Sequence, residues 1–281
     1  LFTQHSRSWR ENRYVYPVIS RRSKGLSIGV NLNPDKVCNF DCVYCCVDRS
    51  VPPTVREMDL DVLREELRHM LSLAGSGELF ASPPFDQTPG YLRRVNDVAF
   101  SGDGEPTSYP KFGEACELVA GEIAASQIEG VKIVVITNAT LLARPSVAAA
   151  LKFLDGHKGE VWGKLDAGTE GYYREVERTS IPLQRVLDNL LACGREREML
   201  IQSLFMRLHG VGPSAEEIDA YLGRLAWLKE QGARIKGVQV YTVARRTAED
   251  WVTPIPDGEV DGIVERVRGL GLGAEGFYGP G

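Results

Sequence analysis

Six short β-branched runs alternate with longer amphipathic stretches along this chain of 281 residues, and that alternation restricts its fold more than any other feature. The candidate strands are 26–31, 96–101, 132–137, 160–165, 200–205 and 238–243. Several, such as "KIVVIT", are continuous apolar runs, as expected of strands buried on both faces of a parallel sheet. Between them the apolar residues recur at helical spacing. After Asp59, the residues Leu60, Leu63, Leu67, Met70 and Leu71 form one stripe. Further helices are predicted over 111–125, 146–154, 183–193, 215–231 and 258–270. Pro145 with Ser146, and Pro213-Ser214 with Glu216 and Glu217, read as helix starts; Gly75, Gly194 and Gly232 read as stops. Repeated βα units imply a parallel α/β domain, either an open doubly wound sheet or a closed or partly closed barrel. In both, ligands bind at the C-terminal ends of the strands. Residues 1–20 read as an N-terminal extension, 21–250 as the core domain, and 251–281 as a C-terminal helix and tail packing on it. The Gly-, Pro- and Ser-rich stretch 76–95 reads as a surface insertion.

Composition narrows the class. No apolar run approaches the length of a membrane-spanning helix, and the first residues lack the apolar core of a signal peptide, so cytoplasm is the expectation. A net charge of −5 does not suit a general polyanion binder. Locally, Arg7, Arg10, Arg13, Arg21, Arg22 and Lys24 face the single acid Glu11, a run that reads either as solvated surface or as a contact for phosphate or RNA.

Four of the six cysteines, Cys38, Cys42, Cys45 and Cys46, fall within nine residues, whereas Cys116 and Cys193 stand apart. The stretch "NPDKVCNFDCVYCCVDR" sets them at C-x3-C-x2-C spacing directly after the first predicted strand. Thiolates grouped on one loop are the usual holders of iron–sulfur clusters. Three ligands leave one iron of a four-iron cluster open, the mark of a reactive centre rather than a structural one. A zinc site would want four ligands in two pairs; no second pair follows, and His69 lies inside a helical pattern.

This loop, with Tyr44 before its last cysteine, resembles that of the radical S-adenosylmethionine superfamily, and the resemblance runs from about Arg21 to Tyr241. "GLSIGVNLNPDKVCNFDCVYC" looks like the subgroup of iron–sulfur oxidoreductases related to the wyosine-base synthases that modify tRNA. The resemblance implies a partial (β/α)6 TIM-like barrel of parallel strands with outer helices. It implies a [4Fe–4S] cluster on Cys38, Cys42 and Cys45, with S-adenosylmethionine as second cofactor. By its match, "FSGDGEPTSYP" after the second strand lines the cofactor site through Gly102, Asp103, Gly104 and Glu105, although many relatives have Gly-Gly-Glu there. Read physically, those glycines allow close backbone approach.

Asn138, ending the third strand, reads equally as a turn cap and as a site residue. Lys164 and Asp166 in "VWGKLDAGTE" fall on one side of the fourth strand, as an ion pair or, at the position of the superfamily's ribose motif, as cofactor ligands. Gln202 and Gln239 are amides within apolar strands and each needs a hydrogen-bond partner; by resemblance their segments approach the adenine and the substrate. Tyr241, Arg245 and Arg246 follow on the substrate side.

The implied chemistry is reductive cleavage of S-adenosylmethionine to methionine and a 5′-deoxyadenosyl radical, which takes hydrogen from a substrate. An external electron donor of flavodoxin or ferredoxin type is implied with it. The substrate does not follow: small molecule, nucleoside and RNA all stay open, and the wyosine-type enzymes carry further cysteines upstream that this stretch lacks before Cys38. Cys46, Cys116 and Cys193 read as ordinary buried thiols. Two other classes stay open, an activase of a partner protein and a non-catalytic iron–sulfur electron carrier.

Overall fold

The computed structural model describes residues 9–279, so that Arg7 of the basic run lies outside the described residues. These residues form two compact units.

One unit takes in the chain through Cys38, together with Pro52–Ile136 and Arg144–Glu160. Strands β1 (Val15–Ser20) and β2 (Gly25–Val30) make an antiparallel hairpin, pairing Val15 with Val30 and Ser20 with Gly25. β3 (Val95–Phe100) lies parallel to β2, and β4 (Lys132–Thr137) parallel to β3. Each crossover is helical: α1 (Leu60–Ser76) and α2 (Phe112–Ser126) pack together, and α3 (Pro145–Asp155) packs on α2. β2 is buried at every position, as a strand covered on both faces must be.

β1 was not foreseen in the stretch read as an extension. Its Pro17 is tolerable only where the missing N–H needs no partner, as on an edge strand. A carboxylate from α1 fixes its start: Glu66 accepts from the backbone N–H groups of Arg13, Tyr14 and Val15 at 2.7, 2.9 and 3.1 Å. β1 also breaks up the basic run. Arg10 and Arg13 precede the strand, while Arg21, Arg22 and Lys24 sit in the turn at its far end, roughly 20 Å away at about 3.3 Å per residue.

The other unit comprises Asn39–Val51, Thr137–Ala143 and the described residues from Val161 onward. Here β5 (Gly159–Lys164), β6 (Met199–Leu208), β7 (Ile235–Thr242) and β9 (Ala274–Phe277) run parallel in that order, and β8 (Val252–Pro254) pairs antiparallel with the end of β6. The helices are α4 (Glu170–Glu177), α5 (Leu183–Glu196), α6 (Ala215–Glu230) and α7 (Asp257–Gly269).

The fold class is therefore mixed α/β with a parallel-rich sheet, that of a partial TIM-like barrel: the βα alternation left an open sheet and a barrel as alternatives, and the resemblance implied the barrel. All six expected strands are present, β6 and β7 running longer than predicted. Two expected helix stops are displaced. α1 runs past Gly75 and ends at Gly77, whose φ of 80° takes the left-handed cap conformation. Gly194 lies inside α5, where a Cβ would come within 2.7 Å of the Ala233 methyl carbon; its role is close packing rather than termination. Gly232 does follow the end of α6, with φ 93°.

One buried carboxyl makes the first unit sensitive to pH. Asp97 on β3 is pushed up to about 6 by burial, against the opposing effect of the Ser27 hydroxyl that donates to it. A carboxyl raised in the folded state binds protons that the unfolded chain releases, so its contribution is fully present below about pH 4 and is lost as pH rises through about 6. Asp97→Asn removes this titration. Urea denaturation from pH 7 to pH 4 should therefore show the wild type gaining on the variant by roughly 2–3 kcal/mol; a constant difference would show that Asp97 ionises normally.

Candidate functional site

In the second unit the faces of the sheet are chemically distinct. On one face Gly163 meets the Leu190 side chain of α5, and Ser203 accepts from or donates to Tyr221 of α6 at 2.7 Å. The other face carries a polar row, because the parallel register sets Lys164, Gln202 and Gln239 side by side on β5, β6 and β7. Gln202 donates to Gln239 at 2.7 Å, so each amide is the partner that the other requires. The side-chain oxygen of Gln202, Oε1, remains buried with no partner among the described residues.

The row continues two residues along, where side chains return to the same face. Lys164 Nζ lies 3.0 Å from Asp166 and donates to the Tyr241 hydroxyl at 2.6 Å. It stands 4.9 and 5.1 Å from the ring centres of Tyr44 and Tyr241, within cation–π range of both. Asp166 also accepts from the Tyr44 hydroxyl at 2.6 Å and from the backbone N–H of Leu204 at 2.7 Å. Burial alone would depress the Lys164 ammonium, but Asp166 and then Tyr241 outweigh it and hold it above the ordinary lysine value. The Tyr44 phenol is raised by burial and then by Asp166. The expected pairing of Lys164 with Asp166 is thus present, within a larger cluster.

The cysteine loop joins this cluster through α4, a helix that the sequence reading missed. Asp41 and Val43 donate backbone hydrogen bonds to the carbonyls of Glu177 and Val176 at 3.1 and 2.9 Å, so the loop runs along the end of α4. Val43 turns into an apolar cluster with Val176, Leu204, Met206 and Val243, and Tyr44 packs against it. The Cys42 thiol donates to Glu177 at 2.6 Å, and burial followed by that carboxylate raises it well above its usual range. Burial and then the adjacent Asp166 raise Glu177 as well. Cys45 is held by a bond from its N–H to the Cys42 carbonyl at 2.9 Å and by one from Ala248 N–H to its own carbonyl at 2.8 Å. The Arg49 guanidinium donates to its sulfur at 3.2 Å. Glu177 had a legible signal: Tyr173, Val176 and Glu177 occupy i, i+3 and i+4 on one buried stripe.

Asn138 caps the turn after β4, accepting from Thr140 N–H and Oγ1 at 3.1 and 2.7 Å, while its amide donates to Asn39 at 2.7 Å. It therefore serves as a cap and touches the residue after Cys38. Arg245 is half-buried and Arg246 exposed beyond β7. Cys116 and Cys193 are buried as expected. Cys46 is not: Val43 and Val47 take the inward positions of this loop, which leaves Cys46 exposed.

In the first unit, the Gly-Asp-Gly-Glu segment after β3 braces the stretch leading to Cys38, itself half-buried. Asp103 N–H donates to Asn31 Oδ1 at 3.1 Å, and Asn31 Nδ2 donates to Asp103 at 2.7 Å. A Cβ on Gly104 would collide with the Val37 carbonyl and lie 2.7 Å from Asn33 Cβ; one on Gly102 would collide with the Asn31 side chain. The close approach that these glycines permit is to the chain's own 31–37 loop. Glu105, also buried, accepts from Thr107 N–H at 3.2 Å.

The profile of the radical SAM superfamily matches residues 32–198, more than half of the chain. The chain belongs to the radical SAM superfamily. A UPF0026 protein of Helicobacter pylori (strain J99 / ATCC 700824) is 26% identical over 204 residues, covering 72% of this chain and 58% of its own length. The chain thus spans little more than half of that curated relative. A radical SAM methyltransferase from Sphaerobacter thermophilus superimposes with a TM-score of 0.62 at 13% identity, covering 95% of this chain and 70% of its own. TYW1, solved with a lysine-pyruvate adduct bound, gives a TM-score of 0.54 at 15% identity, covering 88% of this chain and 74% of its own. These likenesses establish the radical SAM fold. No helix among the described residues is long and apolar enough to cross a membrane.

The donor chemistry of the cysteine loop fits an iron–sulfur cluster. Its thiols are soft ligands, and the backbone that bears Cys42 and Cys45 is pinned at both. Among the described residues no three His, Cys, Asp or Glu side chains converge as they would around a single ion. A four-iron cluster spreads its thiolates over separate irons and needs no such convergence. The unpaired Gln202 oxygen is likewise an acceptor suited to a ligand's N–H groups.

Lys164→Met would leave Asp166 buried without its cation, and a lost partner of this kind costs about 3 kcal/mol. Lys164→Met/Asp166→Leu should recover part of that loss. Chemical denaturation of the two variants checks this; a double variant no more stable than the single one would show that the pair is not the coupled unit described.

Proposed function

We propose that Cys38, Cys42 and Cys45 hold a [4Fe–4S] cluster and that the chain is a radical enzyme using S-adenosylmethionine. The observation that carries this reading is the C-x3-C-x2-C loop at the start of the matched segment, anchored in the second unit beside a buried polar face. When bound, the cluster supplies one electron to S-adenosylmethionine, whose cleavage yields methionine and a 5′-deoxyadenosyl radical able to take hydrogen from a substrate.

The protein's part is binding, orientation and exclusion of water. Cys38, Cys42 and Cys45 would bind as thiolates, and Glu177, which accepts from the Cys42 thiol, is placed to take that thiol's proton. By the resemblance, Gly102, Asp103, Gly104 and Glu105 would serve the amino-acid end of S-adenosylmethionine, and Asn138 is a further candidate for the cofactor. Lys164 and Asp166 offer an ammonium and a carboxylate for its polar groups, Tyr44 a hydroxyl and an aromatic face, and Gln202 and Gln239 amides for the base. Tyr241, tethered to Lys164, and Arg245 stand on the substrate side. The reductant would be an external flavodoxin- or ferredoxin-like protein. The substrate class comprises small molecules, nucleosides and RNA; the splitting of the basic run by β1 weakens the case for one continuous RNA contact there.

The test is anaerobic. Protein reconstituted with iron and sulfide is given dithionite and S-adenosylmethionine, and 5′-deoxyadenosine is measured by chromatography, with Cys42→Ala as control. Product from the wild type alone is expected. A wild type that takes up no cluster would refute the reading. A loaded protein that neither binds nor cleaves S-adenosylmethionine would favour an electron carrier.

A further inference from the structure

We infer that the positive charge of Arg49 sets the reduction potential of the cluster that Cys45 helps to hold, an inference resting on the function proposed above. Arg49 lies four residues after Cys45, and its Nη1 donates to the Cys45 sulfur at 3.2 Å. That sulfur cannot readily swing away. The Cys45 N–H is bonded to the Cys42 carbonyl at 2.9 Å, and the Cys45 carbonyl accepts from Ala248 N–H at 2.8 Å, so the backbone is held on both sides of the Cα. Arg49 is half-buried, which reduces screening of its charge by salt. A guanidinium keeps its proton throughout the working pH range, so its influence is fixed rather than titrated.

The environment of the other anchored thiol is of opposite character. Cys42 meets the Glu177 carboxyl, and the nearby Lys164 ammonium is engaged by Asp166 and Tyr241. Arg49, by contrast, brings a cation into direct hydrogen-bond contact with the Cys45 sulfur. Reduction adds one negative charge to a cluster and its thiolates. A cation hydrogen-bonded to one of those sulfurs stabilises the reduced form more than the oxidised form, and hydrogen bonds and net charge are among the levers that set such potentials. Arg49 is a positioning and tuning residue here, acting on the cluster through Cys45.

Two variants separate charge from hydrogen bonding. Arg49→Gln keeps an N–H donor without the charge, and Arg49→Lys keeps the charge on a different donor. Each is reconstituted anaerobically beside the wild type, and iron and sulfide per chain are determined. The midpoint potential is then measured by dithionite titration followed by electron paramagnetic resonance, without S-adenosylmethionine. At equal iron content the Gln variant is expected to have the more negative midpoint and the Lys variant a midpoint near the wild type. A fully loaded Arg49→Gln protein with the wild-type midpoint would overturn the inference while leaving the proposed function standing. Failure of the wild type itself to take up a cluster would remove the proposed function, so the two failures are distinct.

Discussion

A half-buried lysine ammonium on the polar face of a sheet is the constraint around which the second unit is arranged. Removing a charge from water costs several kcal/mol unless it is paired and its hydrogen-bonding capacity is used. Lys164 meets that demand with Asp166, with the Tyr241 hydroxyl and with two aromatic faces. Asp166 in turn uses Tyr44 and the Leu204 N–H. Tyr44 comes from the cysteine loop, Tyr241 from β7 and Leu204 from β6, so satisfying one ion pair fixes three segments distant in sequence. Apolar replacement of a buried ion pair is often close to neutral, so the pair is weak evidence of selection for stability alone. Keeping ions there suits the cofactor role proposed for this face.

The loop bearing the thiols is irregular, yet its backbone is not loose. It borrows the last carbonyls of α4, which a helix leaves without internal partners, as acceptors for its own N–H groups. Val43 and Val47 face inward, and Cys46 between them is exposed. In the first unit the same economy is achieved by glycine. Only a residue without Cβ lets the segment after β3 lie against the 31–37 loop, with Asn31 and Asp103 joined by two hydrogen bonds.

Much of this was legible in the sequence because it is local. Continuous apolar runs identified the buried strands, and i, i+2 alternation put Lys164 and Asp166 on one side. The two glutamines announced a need for partners, which they meet in each other. What escaped depended on distant groups. β1 contains Pro17 and is secured by Glu66, 51 positions from Val15, which no window on 15–20 contains. α4 spans only 8 residues with a glycine in its first turn, so its single i, i+3, i+4 stripe was passed over and Glu177 was missed with it. Gly194 looked like punctuation because its reason, the approach of Ala233, comes from a turn far along the chain. The Arg49 contact was overlooked among charges that otherwise read as surface.

The junction between β5 and α4 has a mechanical consequence. A Cβ on Gly168 would collide with the Tyr221 backbone nitrogen, and Glu217 of α6 accepts from the N–H groups of both Gly168 and Thr169. The first turn of α4 is therefore riveted to α6, while its last turn carries the cysteine loop. Helix and loop share one frame of reference with α6, and any opening of the loop has to be hinged at its own ends. A mount of this kind ties the backbone around Cys42 to the end of α4, so that a displacement of the helix would carry this part of the loop with it.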